Sequence, residues 1–133
     1  MTIRDVQDIL KAKCLSGAEL LDSEVKSACG SDMMSDVLAF TKDHSVLLTG
    51  LCNPQVIRTV ELLDIVCIVF VRGKKPDDML LDMAKERSIV ILSTGHRMYS
   101  ACGLLYCAGL TGGSMPNNMQ GEAPDMTGGG THE

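Results

Sequence analysis

Ser45-Val-Leu-Leu-Thr-Gly50 runs into Asn53-Pro-Gln-Val-Ile-Arg-Thr-Val-Glu-Leu-Leu63, and the same phrase then recurs twice. Ile65-Val-Cys-Ile-Val-Phe-Val71 leads to Lys75-Pro-Asp-Asp-Met-Leu-Leu-Asp-Met-Ala-Lys85, and Ile89-Val-Ile-Leu-Ser-Thr-Gly95 leads to Met98-Tyr-Ser-Ala-Cys-Gly-Leu-Leu105. Each unit is a short apolar run, a polar turn and a segment of helical periodicity. Strands apolar at nearly every position are buried on both faces, and alternation with helices is the pattern of a parallel sheet. The predicted fold is therefore α/β: a three-layer α/β/α sandwich around a mainly parallel sheet of about four to five strands. Such sheets present ligands to the carboxyl ends of their strands.

The flanking segments complete the reading. Thr2 is placed to cap a helix from Ile3 to about Ala12, with Ile3, Val6, Ile9 and Leu10 at helical spacing. Leu15 to Val25 reads as turns and short extended pieces around Gly17, and Val25 to Cys29 as a strand. Met33 to Phe40 reads as a short helix that Asp32 is placed to cap. Asn53-Pro54 is a helix start with proline in the first turn. Lys75-Pro76-Asp77-Asp78 is another, with carboxylates where the helix dipole favours them. Gly109 is placed to stop the last helix. From Thr111 the composition shifts to Gly, Pro, Asn, Met and Thr, too little apolar surface to offset the entropy of ordering it. Residues 1–110 are thus expected to form the domain and residues 111–133 a flexible tail.

Composition narrows the function classes. The chain has 133 residues, a net charge of −5 and no basic block longer than Arg72-Gly-Lys-Lys75. That argues against nucleic acid, which requires clustered Lys and Arg. Tryptophan is absent, and two tyrosines with two phenylalanines are too few aromatics for a base-stacking platform. No apolar run approaches the roughly 20 residues of a membrane span, and no apolar stretch follows Arg4 as in a signal peptide. A cytoplasmic protein is expected. Six cysteines stand at 14, 29, 52, 67, 102 and 107 without a Cys-x-x-Cys pair, so they read as reduced structural thiols and no metal is assigned. Met33, Met34, Met79, Met83 and Met98 read as core filling.

Polar clusters fall where strands stop: Ser31-Asp32 with Ser35-Asp36, Thr49-Gly50 with Cys52-Asn53, Arg72-Gly73-Lys74-Lys75, and Ser93-Thr94-Gly95-His96. In a parallel sheet these ends share one rim. We take Ser31, Asp32, Thr49, Gly50, Asn53, Ser93 and Thr94 as candidate ligand contacts, with Arg72 neutralising an anion. The competing reading is ordinary turn and cap chemistry, which calls for the same residue types. The glycine-rich phosphate loops are absent, Gly112-Gly113 and Gly128-Gly129-Gly130 lying away from any strand–helix turn. Cys52 or Ser93 with His96 would be a nucleophile and base without an orienting third group, so no catalytic residues are assigned. Asp32 and Asp36, four apart, read as a cap and a solvated carboxylate before a cation site.

Ser31-Asp-Met-Met-Ser-Asp-Val-Leu38, Val46-Leu-Leu-Thr-Gly50, Val69-Phe-Val-Arg-Gly-Lys-Lys-Pro-Asp77 and Ile91-Leu-Ser-Thr94 together resemble the DRTGG domain over residues 1 to about 110. The literal Asp-Arg-Thr-Gly-Gly string is absent, and Leu51-Cys52-Asn53 stands where many members carry polar or charged residues. The resemblance implies an α/β sandwich similar to the N-terminal domain of HPr kinase/phosphorylase. It implies a regulatory or dimer-forming module, found beside CBS domains in regulatory pyrophosphatases and within some phosphotransacetylases, with no chemistry of its own. It also implies, for short stand-alone members, association with iron-only hydrogenase genes in anaerobes. Two functions follow as expectations. One is a non-enzymatic homodimeric module that takes a small anionic ligand or nucleotide at the strand-end rim, its cofactor unknown. The other is an adaptor for a redox enzyme such as an iron-only hydrogenase, working without a small ligand. A metal or cluster carrier built from several thiols is a third class, tested by metal analysis.

Overall fold

The computed structural model describes residues 1–39 and 44–112. The order is α1 (Ile3–Leu10), β1 (Lys13–Ser16), a 3₁₀ turn at Ala18–Leu20, β2 (Ser27–Gly30), α2 (Met34–Leu38), β3 (Ser45–Thr49), α3 (Pro54–Val60), β4 (Ile65–Phe70), α4 (Asp78–Glu86), β5 (Val90–Ser93) and α5 (Met98–Cys107). The five strands form one sheet in the order β1-β5-β4-β3-β2. Pairings β2–β3, β3–β4 and β4–β5 are parallel, while β1 closes the edge antiparallel to β5. The mainly parallel α/β reading holds, and the antiparallel edge strand is the feature that the sequence pattern does not announce.

Alternation along the strands divides the core in two. Val46, Leu48, Cys67, Val69, Val90 and Leu92 face α1 and α5. Leu47, Ile68, Phe70 and Ile91 face α2, α3 and α4. Helices α2, α3 and α4 thus carry all three parallel crossovers on one face, and β2 to β5 progress in a single direction across the sheet. Doubly wound sheets bind ligands in the crevice where strand order reverses. This sheet has no such reversal among its parallel strands, so its rim is built by loops alone.

The helix starts follow their expected chemistry with one exception. The Thr2 side chain accepts from Asp5 N–H at 3.2 Å while the Asp5 carboxylate accepts from Thr2 N–H at 2.9 Å, a reciprocal capping box. These bonds hold the Asp5 carboxyl below its ordinary range. Asn53 caps α3 through Gln55 N–H, and Asp77 caps α4 through Leu80 N–H, each at 3.0 Å. α1 ends at Leu10, short of Ala12, because Lys11 turns left-handed at φ 51°. Gly109, at φ 107°, follows α5 as its stop. The exception is α2: its cap is Met33, without a side-chain bond, and Asp32 is not the cap. Phe40 and the expected tail beyond Gly112 lie outside the described residues. Of the methionines assigned to the core, Met34 is buried, Met83 and Met98 are half-buried, and Met33 and Met79 are exposed at 62% and 58%.

Candidate functional site

The carboxyl ends of β2, β3, β4 and β5 meet at one rim, and main-chain bonds lock their loops together. Ser31 N–H donates to Leu48 O, Val71 N–H to Thr49 O, and Thr94 N–H to Phe70 O, all at 3.0–3.1 Å. Arg72 N–H donates to His96 O at 2.7 Å and Gly73 N–H to Thr94 O at 2.8 Å. The loop after β4 is therefore tied to the loop after β5, with Arg72 held left-handed at φ 62°. A non-glycine residue in that region is held there by its surroundings.

The rim hydroxyls serve the fold. Thr49, fully buried, donates its hydroxyl to Asp32 Oδ1 at 3.0 Å and accepts Leu51 N–H at 3.1 Å. The same Asp32 oxygen accepts Gly50 N–H at 2.6 Å. Asp32 is thus a strut between β2 and β3, which is why it is not available to cap α2. Ser93 donates to Lys74 O at 2.8 Å, tying β5 to the loop after β4. Thr94, also buried, donates to Leu10 O at 2.8 Å and accepts His96 N–H. Ser31 makes a local turn with the Met33 backbone. Each hydroxyl has one proton, and each has given it to the protein.

The cations are differently placed. The Arg72 guanidinium lies directly over Gly50: a Cβ added there would overlap Nη2 and stand 3.2 Å from Cζ. The contact is with the far end of an exposed, flexible side chain, so a Cβ at position 50 would displace the guanidinium and leave the backbone in place. Among the described residues no carboxylate pairs with Arg72, Lys74, Lys75 or Arg97; the ion pairs are Arg4–Asp22, His44–Asp64 and Arg87 with Glu61 and Glu86. Burial pushes the Cys52 thiol up, Lys74 and Arg72 pull it back, and Asp77 opposes them. The Arg72 guanidinium is the cation that the geometry places at the Gly50 turn. The Asn53 carboxamide nitrogen faces no acceptor there among the described residues, since its oxygen alone caps α3.

The geometry brings Asp32, Thr49, Gly50, Asn53 and Arg72 to the turns of β3 and β4, and Ser93 and Thr94 to the adjoining loop. Lys74 and Lys75 follow Arg72 in the same loop, the Arg72-Gly73-Lys74-Lys75 run visible in the sequence. No hydrogen bond joins Ser93 or Cys52 to His96 among the described residues, and no group of three His, Cys, Asp or Glu side chains is placed for a metal. A cavity of about 140 Å³ lies elsewhere, between the β2 edge and α5, lined by Ala28, Cys29, Leu48, Cys102, Leu105 and Tyr106. A more open groove of about 410 Å³ lies at the opposite rim, around Glu61, Asp64 and Arg87. Among the described residues no helix is long and apolar enough to cross a membrane.

The family profile of the DRTGG domain matches residues 5–106. No curated protein matches the chain. Among solved structures the chain is similar to the CBS and DRTGG domains of the regulatory region of Clostridium perfringens pyrophosphatase, complexed with its activator, diadenosine tetraphosphate. The TM-score is 0.63 at 17% identity, covering 78% of this chain and 45% of that one. At this identity the likeness is one of fold, and this chain spans less than half of that structure.

Proposed function

The chain belongs to the DRTGG domain family, and from that premise we propose that it is a non-enzymatic cytoplasmic regulatory module. It binds a small anionic ligand or nucleotide at the carboxyl ends of its parallel strands and works as a homodimer. The observation that carries this reading is the Arg72 guanidinium seated over Gly50, with no carboxylate partner among the described residues. A guanidinium held in this way over a strand-end turn supports an anion as its partner. The nucleotide activator in the pyrophosphatase regulatory region supports a nucleotide as the class to try first.

A thermal-shift panel of adenine nucleotides, dinucleoside polyphosphates and phosphometabolites, in reductant, tests the reading. A ligand at about 100 times its dissociation constant adds roughly 2.7 kcal/mol, which raises the midpoint of a domain this size by several degrees. A saturable shift that Arg72→Gln removes is expected; a flat response across the panel contradicts the reading.

α5 favours a second reading, an adaptor for a redox enzyme such as an iron-only hydrogenase. No side chain from Met98 to Gly112 is charged, and Tyr99, Leu104 and Tyr106 are exposed. A helix apolar on all sides is ordinarily covered. The same face would serve the homodimer. Leu104→Glu should then lower the sedimenting mass, and an unchanged mass in a dimeric wild type excludes α5 as the contact.

A further inference from the structure

β2 is an edge strand, and the chain leaving α5 has begun to pair with its outer side. Ala28 N–H donates to Thr111 O at 3.0 Å, as it would to a neighbouring strand. Successive amides of a strand point to opposite sides. Ser31 N–H is bonded inward, to Leu48 O, so the Gly30 N–H points outward with that of Ala28. Gly30 is exposed. Beside it lies the cavity of about 140 Å³ against α5, and Gly112 forms part of its lining. No charged side chain lines that cavity, so it suits an uncharged segment and not an ion. Topology allows a strand here. α5 covers the sheet face opposite to α2, α3 and α4, whose crossovers carry the chain from β2 across to β5. A return from β5 to the outer side of β2 reverses both the direction and the face, so the connection keeps the same hand. Right-handed crossovers of this kind are the rule.

We propose that the outer edge of β2 is a strand-acceptor site, and that its occupant is this chain's own segment from Gly113 to Pro116, added as a parallel strand. The Ala28–Thr111 bond sets the register. Gly113 N–H then donates to Ala28 O, Gly113 O accepts from Gly30 N–H, and Met115 N–H donates to Gly30 O. Gly112 and Ser114 face α5 in this register, in keeping with the place of Gly112 in the cavity lining. Pro116 falls where its missing N–H points away from β2, the position at which an edge strand tolerates proline. Attachment at Gly112 gives this segment a high local concentration that a separate strand lacks.

Amide exchange of the labelled full chain tests the site at Gly30. In the wild type the Gly30 amide should exchange more slowly than an open amide, by about five- to tenfold for one such hydrogen bond. Gly113→Pro removes the N–H that reaches Ala28 O and should return Gly30 to the open rate. Ser114→Arg, which aims a charge at the apolar cavity, should do the same, while Ser114→Ala should keep the protection. The Ser31 amide, bonded inward to β3, should hold its rate in all three variants. A Gly30 amide that exchanges at the open rate in the wild type overturns the proposal, as does protection that Gly113→Pro leaves intact. A mixture of differently labelled chains separates the occupants. Proton–proton contacts between Gly30 and Gly113 to Met115 should arise within one chain and survive dilution. Contacts that arise only between chains, with protection lost on dilution, give the edge to a second copy and overturn the proposal.

Discussion

The Asp32 carboxylate holds the Thr49 hydroxyl and the Gly50 amide on one oxygen, and so fastens the end of β2 to the end of β3. From the sequence, Asp32 before Met33-Met34-Ser35 has the look of a helix cap, because Asp is favoured there. Sequence spacing cannot show that a buried Thr49 seventeen positions later competes for the same oxygen. Thr49→Val therefore removes a strut. It should lower stability by about 1.5–3 kcal/mol, the scale of a hydrogen bond to a charged group. Pyrophosphate affinity should change by less than about twofold, because the Thr49 hydroxyl has no proton to offer a ligand. Urea denaturation and titration of the same variant measure both; a large affinity loss at unchanged stability would make Thr49 a direct contact.

Among the elements, legibility followed the length and purity of the local signal. β3, β4 and β5 are buried at nearly every position and stand out as apolar runs, and α3 is announced by Asn53-Pro54. β1 has four residues of mixed exposure with a register shift between Cys14 and Ser16, so it shows no alternation and was readable only as extended pieces. The rim was legible as a place, since turn residues mark the strand ends. Which of its groups face a ligand was not legible, because that depends on which hydroxyls the fold consumes. Thr94 is the clearest instance: its hydroxyl reaches back to Leu10 O, 84 residues away, and secures the end of α1 beneath the rim. Thr94→Val should cost about 1–2 kcal/mol by leaving the Leu10 carbonyl unsatisfied. Amide exchange should quicken in the last turn of α1 in particular; uniform quickening would show that the bond has no local role.

Across the whole molecule, burial raises five thiols, Cys14, Cys29, Cys52, Cys67 and Cys102, and Cys67 lies wholly inside the core. A thiol whose folded value is raised keeps its proton after the unfolded chain has begun to lose it. Its contribution is complete below the ordinary value of 9.0 and is lost as pH climbs above it. In reductant, the denaturation midpoint should therefore fall as pH rises above 9.0, and Cys67→Ala should flatten that fall while lowering stability on both sides of it. An identical pH slope in the variant would remove Cys67 as its cause. The same fold that shuts these thiols away leaves Arg72 without a carboxylate partner among the described residues, at the rim of a chain whose net charge is −5. The most direct test of that contrast is an amide-shift map of the labelled protein titrated with pyrophosphate. Saturable shifts centred on Gly50 to Asn53 and Arg72 to Lys75 are the predicted result. Shifts centred on Ala28 to Gly30 with Tyr106, or on Glu61 to Ile65 with Arg87, would contradict it, as would a titration that moves no amide.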